Sequence, residues 1–438
     1  MSAIHVVGGG VAGLAGALAL ARAGRPVVLH EAAPMAGGRA RALADGTDNG
    51  THALVGANTA ALRFLERIGA RSGWLEPEPE GLPVLDLADN SARRIALSPF
   101  AWWRRSRRPP GCSIGAVLAM ARLASPWRDV PVARAMAEHP AFHRSFVDPL
   151  VMATLNTPSS EASSARLGQV LRRLGAPGAT RLLVAERGLG PDLVEPALDA
   201  LRAAGVDIRF NSRLRAIEVE EGRLSALIFD SRIHADAALL ALPPWEAARL
   251  LPGLPVPEAF APIVNLHFER KGPGPVRFLG CLGGLCQWVL VRPSGVAVTV
   301  SAGDAEAELP AEALAPRAWA EVLRLAAVFR LPGEWPLQPP RCRVVKERRA
   351  TPRHLPGPPP APPRRPLPNL ALAGDWTWPH LPATIEAAVR SGEAAAAALL
   401  GVPLGNTPIR LPRRGAWLSL PEARTVGAAA NGRAARSP

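Results

Sequence analysis

Three glycines open the chain in the order Gly8-x-Gly10-x-x-Gly13, directly after the apolar run Ile4-His5-Val6-Val7. Residues of that type at that spacing let backbone approach a pyrophosphate. Gly8 permits a tight turn, Gly10 removes the side chain that would hold phosphates off, and Gly13 lets the following helix pack on the strand. The helix start then offers unpaired N–H groups and the positive end of its dipole. Glu31 ends a second apolar stretch, Pro26–His30, at roughly the 20-residue spacing where an acid hydrogen-bonds an adenosine ribose. At the other end of the chain lie Ala373-Gly374-Asp375 and Pro382-Ala383-Thr384-Ile385-Glu386. Pro382 suits the first turn of a helix predicted to run to about Leu400, whose start would present the N–H groups of Ala383, Thr384 and Ile385. A nucleotide site that begins at residue 4 and closes near residue 386 implies a large cofactor spanned by a discontinuous domain. FAD meets that description better than NAD.

The elements that must position these residues follow from the pattern. The strand at 3–7 and the helical residues Leu14, Leu18, Leu20 and Ala21, stopped by Gly24, form a strand–turn–helix unit, and Pro26–His30 is a second strand. Asn58–Ile68 reads as a helix with Asn58 as its cap and Gly69 as its stop. Residues 81–97 read as a β-hairpin, and 99–175 as mostly helical with Pro-Gly breaks. Gly188-Leu189-Gly190 leads into a helix over 191–204, then strands over 206–210, 214–220 and 223–229. Several strands fit 262–302, a helix 316–329 and a strand 341–347. Pro356–Pro368 reads as a polyproline loop, and residues 403–438 as a poorly ordered tail.

Bulk properties exclude several classes. The 438 residues, 48% hydrophobic, suit two or three domains or one discontinuous pair. The net charge of +14 comes from 49 arginines and 2 lysines, with no tyrosine, a skew that reads as coding bias. Arginines scattered without interleaved aromatics argue against a nucleic-acid groove. Cys112, Cys281, Cys286 and Cys342 form no C-x-x-C pair and no histidine cluster accompanies them, so neither a metal site nor a disulfide framework is expected. That points to a reducing, cytoplasmic compartment. No apolar run is long enough to span a bilayer, and glycines interrupt the N-terminal stretch that would otherwise pass for a signal peptide.

On these pieces the chain resembles the amine oxidase/phytoene desaturase group of FAD-dependent oxidoreductases. The shared landmarks are the glycine turn, Gly37-Gly38-Arg39, the strand pair before Ala235-Asp236, and Gly374-Asp375; they cover most of residues 4–400. Within the group, five further pieces resemble the branch of hydroxysqualene dehydroxylases, or squalene-associated FAD-dependent desaturases. These are Asp48-Asn49-Gly50-Thr51-His52, Leu155-Asn156-Thr157-Pro158, Lys346-Glu347-Arg348-Arg349-Ala350-Thr351, Gly374-Asp375-Trp376-Thr377 and Leu381–Glu386. Thr51 departs from the glutamine expected there; His52 is preserved. The resemblance implies an α/β fold: a discontinuous, Rossmann-like FAD domain of the glutathione-reductase type (1–80, 186–250 and 340–402) with an inserted α+β substrate domain (81–185 and 251–339).

The resemblance also implies noncovalent FAD held by Gly8, Gly10, Ala12, Gly13, Glu31, Gly38, Arg39, Leu214, Gly374, Asp375, Ala383, Thr384 and Ile385. Arg39 would pair with the pyrophosphate, Leu214 meet the adenine through its backbone, and Asp375 hydrogen-bond the ribityl chain. The helix start after Pro382 would stabilise negative charge on the reduced flavin. Asp48 and His52 are then the titratable candidates near the ring. His52 could protonate a leaving oxygen; alternatively both residues only brace their loop. The expected reaction is reductive dehydroxylation of hydroxysqualene to squalene, for hopanoid synthesis, with an isoprenoid lipid as substrate and an unspecified electron donor. Alternatives are a carotenoid-type desaturase, an amine oxidase with Trp376 and Trp378 replacing tyrosines, and a noncatalytic basic surface binder. Phe100-Ala101-Trp102-Trp103 with Arg104–Arg108, ahead of an apolar helix at Ile114–Leu123, suits a headgroup boundary and predicts peripheral membrane contact.

Overall fold

The computed structural model describes residues 2–401. The predicted tail at 403–438, and residue 402, lie outside the described residues.

A five-stranded parallel sheet carries the glycine turn. Its order is Leu370–Leu372, Ala238–Leu240, Ile4–Val7, Val27–His30 and Asp207–Arg209. Val6 stands between Leu29 and Leu239 in register. Strands buried on both faces must be nearly all apolar, which is why VV and VL runs, rather than alternation, mark them. Neighbours in this sheet come from distant parts of the chain, since Val6 pairs with Leu239 and Leu239 with Ala371. The helices Val11–Arg22 and Ile385–Leu399 pack on one another beside it. Their approach depends on glycine: a Cβ at Gly392 would lie 2.1 Å from the Ala12 carbonyl oxygen, and one at Gly16 would lie 3.2 Å from that of Gly392.

The second large sheet has seven strands, in the order Cys342–Pro352, Phe260–Phe268, Gly295–Ser301, Trp288–Arg292, Arg277–Leu282, Leu82–Asp86 and Ser91–Ile95. One face buries Val264, Leu266, Phe268 and Val298 against the helix Ala311–Val328. Leu82, Val84 and Phe278 on the other face pack against the helical segment through Trp102, Met120 and Phe146. Because side chains alternate along a strand, Asn265 and His267 point away from the core that holds Val264, Leu266 and Phe268. They face the loop at 45–52.

Several sequence expectations change. The hairpin over 81–97 exists, but its first strand continues into the large sheet by parallel pairing of Val84 with Gly280. The strand predicted over 341–347, assigned with the FAD domain, runs Cys342–Pro352 and pairs with Phe260–Phe268 in the seven-stranded sheet. The strand pair before Ala235 is a three-stranded meander, Ala216–Glu220, Arg223–Ile228 and Arg232–His234. Asn58 does not cap Thr59–Arg67 with its side chain: its Oδ1 accepts from Val55 N–H at 2.7 Å. The Ala61 amide is capped instead by Glu386 from the far end of the chain, at 2.8 Å.

Candidate functional site

The glycine turn, Glu31 and Gly374-Asp375 all sit at the carboxyl ends of parallel strands, the edge where open α/β sheets bind ligands. Gly8 has φ +107°, and a Cβ there would meet the Ala241 carbonyl oxygen at 2.3 Å. A Cβ at Gly13 would lie 1.9 Å from the Gly8 carbonyl oxygen. Gly10 behaves differently. The nearest atom to its added Cβ is Gly38 Cα at 3.9 Å, so its backbone borders open space. Gly10 is also the N-cap of Val11–Arg22 and has no side chain to close it, and Ala12 is buried in the first turn. This is the cradle an anionic diphosphate needs.

Glu31 folds over the turn. Its Oε2 accepts from Gly9 N–H at 2.7 Å and its Oε1 from Ala33 N–H at 2.8 Å, with lone pairs left for hydroxyl donors. Arg39 follows Gly37 and Gly38, both at positive φ, and its Nη2 lies 2.6 Å from Asp375 Oδ1. Two residues from opposite ends of the sequence thus meet, and the guanidinium also donates to the Ala350 carbonyl. Gly374, at φ +143°, donates to Ser391 Oγ at 2.9 Å. Leu214 is buried just before the meander, and its carbonyl accepts from Arg249 at 3.1 Å.

The closing helix begins at Ile385, not Pro382. Thr384 is its N-cap, with Oγ1 accepting from Ala387 N–H at 3.2 Å. A threonine cap is strong enough to set the start, so Pro382 and Ala383 stand outside the helix. The Ala383 amide is committed to His354 Nε2 at 3.3 Å. The amides of Ile385 and Glu386 precede the first intrahelical bond, Ala388 N–H to the Thr384 carbonyl, and are the ones left to face a ligand. His354 is buried, and that burial pushes its pKa down to about 4. It lines a cleft of about 230 Å³ together with Arg166, Asp375, Trp376 and Trp378. Trp376, expected as a possible cage residue, is buried with its indole N–H on the Leu242 carbonyl at 3.0 Å.

The loop Asp48–His52 lies against the seven-stranded sheet, through Asn265 and Arg292. Asp48 is buried; its Oδ1 accepts from Leu189 N–H at 2.7 Å and its Oδ2 from Arg292 at 3.1 Å. Arg292 also donates to the Ala185 carbonyl at 3.0 Å. His52 is partly exposed. Burial lowers its pKa below 6.5, while a hydrogen bond to the Arg39 backbone and the Asp48 carboxylate oppose that shift. Arg292, Asn265 and His354 were missed from sequence. None of them stands in a motif, so only the fold brings them to the site. The residues present fit FAD: an open glycine cradle, an acid at the second strand, an arginine–aspartate pair and a helix start with two spare amides. Among the described residues no cluster of histidine, cysteine, aspartate or glutamate could hold a metal ion.

Comparison with known proteins agrees with this geometry. The family model of flavin-containing amine oxidoreductases matches residues 11–400. The chain is 38% identical over 416 residues to a hydroxysqualene dehydroxylase of Rhodopseudomonas palustris, covering 90% of this chain and 97% of that one. A protein of the same name from Zymomonas mobilis is 33% identical over 417 residues, with 90% and 98% coverage. Among solved structures, putrescine oxidase superposes with a TM-score of 0.65 at 18% identity, covering 91% of this chain and 99% of that one. Cyclohexylamine oxidase from Brevibacterium oxydans gives a TM-score of 0.66 at 16% identity, with 90% and 98% coverage.

Proposed function

Because the chain belongs to the flavin-containing amine oxidoreductase family, and is an FAD-dependent oxidoreductase, we propose that it reductively dehydroxylates hydroxysqualene to squalene. The observation that carries the reading is likeness along nearly the whole length of enzymes bearing that name, at 33–38% identity. In this reading Gly8, Gly10, Ala12, Gly13, Gly38 and Arg39 hold the pyrophosphate of FAD, Glu31 the ribose, and Leu214 the adenine. Gly374, Asp375, Thr384 and Ile385 lie along the ribityl chain and flavin edge. When bound and reduced, the flavin supplies a hydride. The chain supplies the rest. His52 donates a proton to the departing hydroxyl. Asp48 braces His52's loop; a carboxylate already accepting from Arg292 and an amide suits that role better than proton donation.

The substrate class in turn argues for contact with a lipid surface. Phe100 is 79% exposed, Trp103 71%, Ile114 82% and Trp127 96%. Six arginines and no carboxylate lie between Pro99 and Arg128, and Arg104 stacks over Trp103. Aromatic and aliphatic side chains ringed by arginine suit an anionic headgroup layer. Trp102 is a correction to the predicted pair: it is buried, donates to the Ala96 carbonyl at 2.8 Å and packs edge-on against Phe142 and Phe146. Among the described residues no helix is long and apolar enough to cross a membrane; the contact in this reading is peripheral, on the cytoplasmic face. The function is tested by giving hydroxysqualene to the dithionite-reduced holoenzyme and a carotenoid precursor with single bonds to desaturate to the oxidised holoenzyme, and analysing each lipid by mass. Loss of oxygen from the first supports the reading; new double bonds in the second, with hydroxysqualene untouched, overturn it.

A further inference from the structure

Asn265 is a buried amide on the strand Phe260–Phe268, facing the Asp48–His52 loop. Its orientation is set by its neighbours. Its Oδ1 accepts from Thr51 N–H at 3.4 Å and from Thr299 Oγ1 at 3.0 Å. An amide N–H can only donate, so the atom facing Thr51 must be the oxygen. Nδ2 therefore points the other way, over Gly50, and makes no hydrogen bond there. A Cβ added at Gly50 would lie 3.2 Å from Asn265 Nδ2 and 3.8 Å from His52 Nε2. One nitrogen from the seven-stranded sheet and one from the loop thus converge on the space that glycine leaves free. The surroundings hold further unsatisfied polar groups: Thr51 Oγ1 and His267 Nε2 are buried without a hydrogen-bond partner. His267 shares the face of Asn265, two residues along the strand. Buried polar atoms normally have partners, so an array of spare ones marks a place for a polar ligand group.

We propose that Asn265 and His52 together form the binding site for the substrate's hydroxyl group, with Asn265 Nδ2 donating a hydrogen bond to the oxygen that His52 protonates. This deepens the dehydroxylase reading and rests on it. As the C–O bond breaks, its electron pair stays with oxygen, which takes the His52 proton and leaves as water. The allylic carbon is reduced by hydride from the reduced flavin, and the imidazole regains its proton from solvent. The amide favours departure by holding the oxygen in line with His52 as negative charge builds on it. Gly50 is glycine because any side chain would fill the hydroxyl's seat.

The test uses the oxidised holoenzyme, so that no turnover occurs. Hydroxysqualene and squalene are titrated separately in detergent micelles, and the flavin difference spectrum reports occupancy. The wild type is expected to prefer the alcohol. Asn265→Leu and Gly50→Ala are each expected to lose roughly tenfold of that preference, with flavin content and squalene affinity unchanged. Gly50→Ala covers the case in which Asn265→Leu fails to fold by stranding Thr51 N–H. Retention of the wild-type preference in folded Gly50→Ala or Asn265→Leu overturns the proposal while leaving the dehydroxylase reading intact. A wild type that binds neither lipid overturns the substrate reading and the proposal with it.

Discussion

Arg39 and Asp375 hold one another at 2.6 Å across the join between the two ends of the chain, and the proposed reading has this guanidinium meet the FAD pyrophosphate. Charge-assisted hydrogen bonds to a pyrophosphate contribute about 1.5–3 kcal/mol, so Arg39→Ala should weaken FAD retention roughly ten- to hundredfold, read by equilibrium dialysis of flavin. Lysine should not restore it, because an ammonium lacks the paired donors. His52→Gln should keep FAD but lower kcat by about 10²–10⁴-fold. Its pH profile carries the sign of the role. In the proposed reading a protonated imidazole is the donor, and burial lowers its pKa, so kcat should fall as pH rises through a value below 6.5, and that limb should vanish in His52→Gln. Asp48→Ala should behave differently, leaving Arg292 unpaired in a buried setting. About 3 kcal/mol of stability should be lost, seen as a lower melting temperature. The glycine turn and Glu31 stand out by residue type and spacing, whereas Arg39 and His52 stand out only through the family resemblance. Asn265 does not: the alternating Asn and His of Val-Asn-Leu-His-Phe look like the solvent side of a strand until a loop from elsewhere covers them.

The two helices that close the FAD cradle touch through glycine, and this contact ties Val11–Arg22 to Ile385–Leu399 more directly than any hydrogen bond. Gly392→Ala would press a methyl group toward the Ala12 carbonyl at 2.1 Å. Backbone must shift to admit it, a cost of about 1–3 kcal/mol, and a thermal melt followed by flavin fluorescence should show earlier release of FAD. The helix itself was legible from its apolar pattern and proline, but its start was misjudged by three residues. Proline tolerates the first turn without requiring it, whereas the Thr384 hydroxyl satisfies a specific amide. Strand Cys342–Pro352 was placed correctly in sequence but with the wrong sheet. Its neighbour Phe260–Phe268 is distant in sequence, and a half-exposed strand carries no mark of which partner it pairs with. Trp102 and Trp103 show the same limit, since adjacent residues in a turn face opposite environments that only the Phe142–Phe146 cluster decides.

The glycine cradle lies at the carboxyl edge of the parallel sheet and is tied to the mixed sheet through Arg39 and the Ala350 carbonyl, and an apolar, arginine-rich surface lies on the helical segment beside the mixed sheet. If that surface meets lipid, Trp103→Ser with Trp127→Ser should reduce co-sedimentation with anionic vesicles several-fold while leaving the melting temperature unchanged, and salt should weaken wild-type binding in the same assay. Buried histidines give the fold an acid limit. His30, His267 and His354 are each pushed down to about 4, first by burial. The unfolded chain takes up protons near 6.5 that the folded chain refuses until about 4, so stability should fall as pH drops through that window, by up to about 1.4 kcal/mol per pH unit for each histidine. Melting temperatures measured from pH 7 to pH 4.5 check this. The central claim is that reducing equivalents pass from the flavin to an allylic alcohol. The direct measurement is a single anaerobic turnover: reduce the bound flavin, mix with hydroxysqualene, and follow the return of oxidised-flavin absorbance with analysis of the lipid. The account predicts reoxidation with one squalene formed per flavin. A flavin that stays reduced in the presence of saturating hydroxysqualene would contradict it.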